Sequence, residues 1–361
     1  MIARSPHPEV RVPLVRPYLG RLWHRWRDAR RLSSALDLVP AILHRVEAAS
    51  GRTAPSAWVP RWSRWSGTGV ALIGLGRRGG APLAVLKAAS SRAGVAGLRA
   101  EAAALAGLSA VHELGAWRDL VPDLIGQGEL SGWFYTIQRA LPGRGATSLD
   151  LETGSGAAFL GMAADAIRPL HEATAVEELA GEWLLARDVD RHLRRIVRAV
   201  PSDLAVQRDP VALRVAGEVR ETLAGRAVRL SWIHGDYWPG NLLVAPDGER
   251  IEGIVDWGMA EPRQLVLHDL LHLLIHTRQI GQGRELGDIV AELLDGGEWN
   301  PAERAVLEEA DEGTNLGQGG ERAMLILYWL RRIGAIFDQE RGHSGNRVWM
   351  AWNVDRVLRC L

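Results

Sequence analysis

The sequence predicts an α+β protein of two lobes, a small N-terminal lobe built on a sheet and a larger helical C-terminal lobe. Short apolar runs broken by glycines fall between about residues 62 and 141 and read as paired strands. Beyond residue 146 the apolar residues recur at helical spacing, interrupted by one hairpin-like insert. The length, 361 residues, suits two such units at roughly 100–200 residues each.

In chain order, residues 1–60 form an extension rich in arginine and tryptophan. Its segment YLGRLWHRWRDARRLSSAL reads as a helix laid over the small lobe, with Trp23 and Trp26 packed and the arginines solvated. Eight arginines precede residue 32, a density that also suits nucleic acid or phospholipid, but a covering helix accounts for the interleaved tryptophans. GVALIGLG (69–76), APLAVLKAA (81–89) and GWFYTIQRAL (132–141) read as strands, and GVAGLRAEAAALAGL (94–108) as a helix. These assign 61–136 to the small lobe and 137–145 to a connecting hinge. Residues 146–361 form the helical lobe, in which NLLVA (241–245) and RIEGIVDW (250–257) make a hairpin across the turn PDG.

Composition narrows the function classes. Acids and bases both number 43, so no global charge draws the chain to nucleic acid or to an anionic membrane. The N-terminal stretch is broken by Arg and Pro, unlike a signal peptide, and LHDLLHLLI (267–275) is too short to span a bilayer. A single cysteine, Cys360, fits a reducing compartment, so a cytoplasmic protein is expected.

The densest chemical text runs from Ser231 to Pro262, SWIHGDYWPGNLLVAPDGERIEGIVDWGMAEP. His234, Asp236 and Asn241 stand as H-x-D-x-x-x-x-N, and Asp256 follows at the end of an apolar strand. Phosphoryl transfer needs a carboxylate to orient the attacking hydroxyl and oxygen ligands to hold Mg²⁺ on the phosphates. Asp236 and Asn241 share one loop and reach one small volume, and Asp256 can supply a second oxygen ligand to the same ion.

HGDYWPGNLL and IVDWGMAEP resemble the catalytic loop and metal motif of the aminoglycoside phosphotransferase and choline kinase-like family, small-molecule relatives of the protein kinases. The resemblance runs from near Ser66 to near Trp329 and implies a bilobal protein kinase-like fold. It makes Asp236 the catalytic base, Asn241 and Asp256 the Mg²⁺ ligands, and His234 a brace of the loop. Asp269, in LHDLLHLL, resembles the aspartate that buttresses that loop, and IRPLHEAT (167–174) the helix that precedes it. IQRALPG resembles the hinge, with backbone groups of Gln138 to Ala140 holding adenine. Lys87, the only lysine of the chain, would contact the phosphates of ATP or GTP with Glu101 as its partner. Gly67 and Gly69 would shape the loop above the phosphates, although they equally suit a plain hairpin turn. The chain lacks the family's Gly-Asp-Pro triplet, having AEPRQLVLHD in its place, so the geometry of that loop is left open.

The resemblance implies transfer of a γ-phosphoryl group to a hydroxyl of a small molecule, with an aminoglycoside or other amino-sugar antibiotic as the leading acceptor. A sugar or alcohol intermediate of natural-product or surface-polysaccharide metabolism is the alternative. Ten acids against two arginines in 284–312 favour a cationic acceptor, unless they form a solvated helix face. A nucleotide-binding pseudo-kinase is disfavoured by the intact Lys87, Asp236, Asn241 and Asp256. His268, His272 and His276 fall at i, i+4 and i+8, superficially like the zinc motif H-E-x-x-H. Asp stands where that motif needs Glu, so packed histidines are expected.

Overall fold

The computed structural model describes residues 18–50, 57–148, 154–199, 208–311, 318–339 and 346–361, with side chains left out at 18–26, 50, 154–155, 208–213, 311, 318–319 and 338–339. Helix α1 (Tyr18–Ser50) leads into β1 (Val59–Trp65), β2 (Ala71–Gly76), β3 (Ala84–Ala89), α2 (Arg92–Ser109), β4 (Leu124–Leu130) and β5 (Trp133–Arg139). The five strands form an antiparallel sheet in the order β1-β2-β3-β5-β4. Strands β1 and β4 are additional to the sequence expectation.

Strand alternation gives the sheet two unlike faces. Ile73, Leu75, Leu86 and Ile137 turn to one side and bury against Ala35, Val39, Ile42, Leu43 and Val46 of α1. That spacing is a helical stripe, so α1 covers the sheet with aliphatic residues. The expected packing of Trp23 and Trp26 lies outside the described residues. On the other face Val70, Ala89 and Phe134 meet Leu98 of α2. Lys87 lies between inward-facing Leu86 and Ala88, so its side chain projects toward α2, which decides its partners below.

The helical lobe begins with β6 (Arg144–Gly145), α3 (Gly154–Ala173) and β7 (Val176–Leu179). A helical run follows, α4 (Glu182–Leu185) passing through a π turn into α5 (Arg191–Ala199). Next come α6 (Arg208–Leu223), β8 (Ala227–Ile233), β9 (Leu242–Val244), β10 (Ile251–Ile254), β11 (Glu261–Leu265) and α7 (Leu267–Gln282). The chain ends with α8 (Leu286–Leu294), α9 (Pro301–Asp311), α10 (Gln318–Gln339), α11 (Arg347–Met350) and α12 (Arg356–Cys360). The expected hairpin is β9-β10, extended by β6, and a second sheet, β11-β8-β7, corrects the expectation of an otherwise helical lobe. The segment without the Gly-Asp-Pro triplet is β11, paired with β8. No helix among the described residues is long and apolar enough to cross a membrane.

Buried histidines make this core sensitive to acid. His192 of α5 lies where Gly334 of α10 leaves room for its ring, and burial together with Arg331, Arg195, Arg191 and Arg187 pulls its pKa down to about 3. Burial and Arg331 likewise hold His268 well below the usual histidine value. The unfolded chain protonates both near pH ~6.5 while the folded one does not, so stability falls as pH drops from there toward 3. Each such histidine contributes a slope of up to about 1.4 kcal/mol per pH unit. Thermal melts between pH 7 and 4 are expected to show a falling Tm, less steep in His192→Asn. Equal slopes would contradict the assignment.

Candidate active site

Lys87 Nζ meets Glu101 Oε1 of α2 at 2.6 Å and Asp256 Oδ1 at 3.5 Å. Two residues of the small lobe are thereby joined to the strand end of the helical lobe, and the turn after Asp256 packs on α2. Lys87 and Glu101 are buried, whereas the Asp256 side chain is 63% exposed and open to a ligand. Burial alone would lower the Lys87 ammonium, but Glu101 and then Asp256 outweigh it and raise its pKa. Asp256 itself has φ 70°, a left-handed backbone unusual for a residue with a side chain.

The loop from His234 to Asn241 is fixed by side chains bonded to its backbone. Asp269 at the first turn of α7 is fully buried and accepts from His234 N at 2.7 Å, Gly235 N at 2.8 Å and His171 Nε2 at 3.1 Å. Burial favours its neutral form, yet the His171 bond and His234 hold it below the usual carboxylate range. Gly235 has φ +76°, and a Cβ there would run into the carbonyl of Met259, so the turn requires glycine. His234 accepts from Asp236 N at Nδ1 (3.3 Å) and donates from Nε2 to Val255 O (3.0 Å), spanning the two motifs. Val255 N donates in turn to Asn241 O at 2.9 Å. His171 and Thr174, whose hydroxyl accepts from Trp232 N at 3.0 Å, give LHEAT its structural meaning.

Asp236 is held by three side chains. His272 Nε2 (3.0 Å) and Arg332 Nη1 (2.8 Å) donate to Oδ1, and Asn241 Nδ2 donates to Oδ2 at 3.1 Å and to the Asp236 carbonyl at 2.9 Å. The Asp236 carboxylate can only accept, which puts the His272 proton on Nε2, and Nδ1 then accepts from Tyr328 OH at 3.0 Å. Burial would raise the Asp236 carboxyl, but the His272 bond and the Arg332 guanidinium prevail and keep it well below the usual range. Burial and Arg332 pull His272 down to about 4, so it is neutral at pH 7. Because Asn241 turns its amide nitrogen to Asp236, its oxygen is left for another partner. That oxygen and the Asp256 carboxylate are the hard donors a magnesium ion takes, so the residues present fit one.

His272, Tyr328 and Arg332 were not among the sequence candidates for this role. With Nε2 on a carboxylate and Nδ1 on a hydroxyl, His272 has no nitrogen left for zinc, and its ring meets that of His276 edge to face at 4.1 Å between centroids.

At the expected adenine contacts part of the backbone is already paired. The backbone of Gln138 lies in β5 between β3 and β4, Arg139 N donates to Asp123 O, and Ala140 N donates to Leu83 O at 3.0 Å. Those amides are committed, whereas the buried side-chain Nε2 of Gln138 has no partner among the described residues. Gly67 and Gly69 sit in the β1–β2 turn, where Gly69 has φ +80° and its N bonds Ser66 O at 3.1 Å. Ser91, which caps α2, is near Gly69, so the turn lies against that helix N-terminus. Four of the ten acids of 284–312 form ion pairs: Glu303 is buried on Arg278, Asp288 bonds Arg284 and Arg356, Glu292 bonds Arg284 and Glu309 bonds Arg168. Those pairs reduce the acidic face that the charge count suggested, while Asp295, Glu298 and Glu308 stay exposed. Glu312 and the side chain of Asp311 lie outside the described residues.

Residues 58–307 match the model of the phosphotransferase enzyme family, APH. The GDP and kanamycin complex of APH(2")-IIia is similar in fold, with TM-score 0.53 and 15% identity over 88% of this chain and 98% of that one. APH(3'')-Id from Streptomyces rimosus ATCC10970, in complex with ADP and streptomycin, gives a TM-score of 0.49 and 19% identity over 81% of this chain and 98% of that one. A glucosamine kinase in complex with glucosamine, ADP and inorganic phosphate gives a TM-score of 0.48 and 18% identity over 90% of this chain and 85% of that one. No curated protein matches the chain.

Proposed function

Since the chain belongs to the phosphotransferase enzyme family, and is thus a phosphotransferase acting on hydroxyl groups of small molecules, we propose that it moves the γ-phosphoryl group of ATP or GTP with Asp236 as catalytic base. One observation carries this reading. Lys87, joined to both Glu101 and Asp256, brings the small lobe to the same site as the Asp236–Asn241 loop.

In the proposed reaction the acceptor hydroxyl binds at the remaining lone pair of Asp236 Oδ2, since Oδ1 already takes two donors. Three donors make this carboxylate a weak base, which suits a loose transition state in which the proton leaves the hydroxyl late. Lys87 meets the oxygens of the nucleotide phosphates, and its buried partner Glu101 keeps it charged and aimed. The Asn241 oxygen and Asp256 would hold magnesium, which when bound neutralises charge on the phosphates. Among hinge groups, the side chain of Gln138 and the amide of Leu141 are the donors proposed for the base. The GDP complex of APH(2")-IIia supports a purine nucleotide there.

Of the two acceptor classes raised by the sequence, a sugar or alcohol is favoured over a polycationic aminoglycoside, because Asp236 is already paired with Arg332 and four of the acids invoked for the latter are in ion pairs. The test is magnesium-dependent binding of ATP and GTP by calorimetry, followed by transfer of labelled γ-phosphate to a panel of hydroxyl compounds. No magnesium-dependent nucleotide binding would refute the reading. Lys87→Arg is expected to lower kcat/KM by about tenfold or more although charge is kept. The Lys87 side chain is only 10% exposed and ends 2.6 Å from Glu101, so a planar guanidinium does not fit the slot. A fully active variant would remove Lys87 from the phosphate site.

A further inference from the structure

Around Asp236 the structure assembles positive and neutral donors rather than acids. Helix α7 presents His272 and His276 one turn apart, and α10 brings Arg332 against both. Arg332 spends Nη1 on Asp236, but its buried Nε has no partner among the described residues. Nor does the buried Nε2 of His276, whose ring lies tilted against Trp238 of the catalytic loop at 5.6 Å between centroids. Burial, His272 and Arg332 keep His276 well below the usual histidine value, so it adds no charge.

These groups make a selective surface. The charge of Asp236 is already balanced by the Arg332 guanidinium, so it offers an ammonium group little net attraction. Of the acids in 284–312, Asp288, Glu292, Glu303 and Glu309 are engaged with arginines, and Glu261 is engaged with Arg331. A guanidinium with one edge on the catalytic carboxylate and an unpaired Nε is instead half of a fork for a second carboxylate.

We propose that Arg332 is the acceptor-binding residue of this site and that the acceptor is a hydroxy acid, a small molecule whose carboxylate lies a few bonds from the phosphorylated hydroxyl. This rests on the phosphotransferase reading above. The carboxylate takes the unpartnered edge of Arg332 while the hydroxyl reaches Asp236. Transfer then forms the bond from the hydroxyl oxygen to γ-phosphorus and breaks the bond from γ-phosphorus to the bridging oxygen of the nucleoside diphosphate. The hydroxyl proton goes to Asp236.

The test compares gluconate, glucuronate and glycerate with glucose, glycerol and glucosamine, measuring nucleoside diphosphate release by the full chain. The acids are expected to show kcat/KM at least roughly tenfold above their neutral and amino counterparts. Arg332→Gln should raise KM for the acids by roughly 10- to 100-fold and abolish that preference, and Arg332→Lys should restore part of it. Three results would overturn the proposal: glucosamine as good as or better than the acids, no acid phosphorylated although MgATP binds, or an acid preference that survives Arg332→Gln. Absence of MgATP binding in the unmodified protein would instead remove the phosphotransferase reading and this proposal together.

Discussion

Asp236→Asn is expected to lower turnover by roughly 10²–10⁴, the effect of losing a general base, while magnesium-dependent ATP binding is largely kept. The substitution is nearly isosteric, so its effect is chemical. Arg332 and His272 both donate to Oδ1, and those bonds orient the new amide with its oxygen toward them. The amide nitrogen then faces Asn241 Nδ2, a donor against a donor, and no lone pair remains to receive the acceptor proton. Lys87, Glu101 and Asp256 are not part of that cluster, so nucleotide affinity is expected to stay within a few fold. Single-turnover transfer of labelled γ-phosphate and calorimetry with MgATP separate the two quantities. Retained turnover would remove Asp236 from the chemistry, and loss of nucleotide binding would make its role structural.

How much of this site the sequence displays depends on how far apart its partners lie. Asp236, Asn241 and Asp256 fall within one short segment, and a lone lysine on an apolar strand before a Glu-bearing helix is visible by composition alone. Arg332 lies 96 residues from its carboxylate and is one arginine among many, so nothing local marks it. His272 was visible as part of an i, i+4 series, but periodicity cannot distinguish a histidine that packs from one that packs and donates. The combined signal was a histidine stripe facing a helix with YWLRR, a pairing that only the tertiary fold reveals. Charge counting failed at 284–312 for the same reason: Arg168 and Arg356, which neutralise Glu309 and Asp288, come from distant segments. Strand β8 was missed because AVRLSWI follows directly on a helical run and buries Ser231 out of phase with its alternation, and β4 because its glycines blur the period.

Asp269→Ala is expected to cost about 3–5 kcal/mol of stability, as when one partner of a buried charged cluster is removed. Asp269 is fully buried, and its two oxygens take the amides of His234 and Gly235 and the ring of His171. Alanine leaves all three donors in a space that water must enter or the loop must close. Closing is resisted because Gly235 is already against the carbonyl of Met259 in a left-handed turn. Asp269→Asn separates charge from shape: it keeps one acceptor oxygen but points an N–H at one of the amides, so it should also destabilise, though less. Both variants displace the backbone that carries Asp236, and kcat should fall at temperatures where the protein remains folded. Asp236→Asn, in contrast, is expected to leave Tm within a few degrees. Denaturant melts and turnover measured on the same preparations test this, and an Asp269→Ala protein as stable as the original would show that the loop holds its shape without that carboxylate.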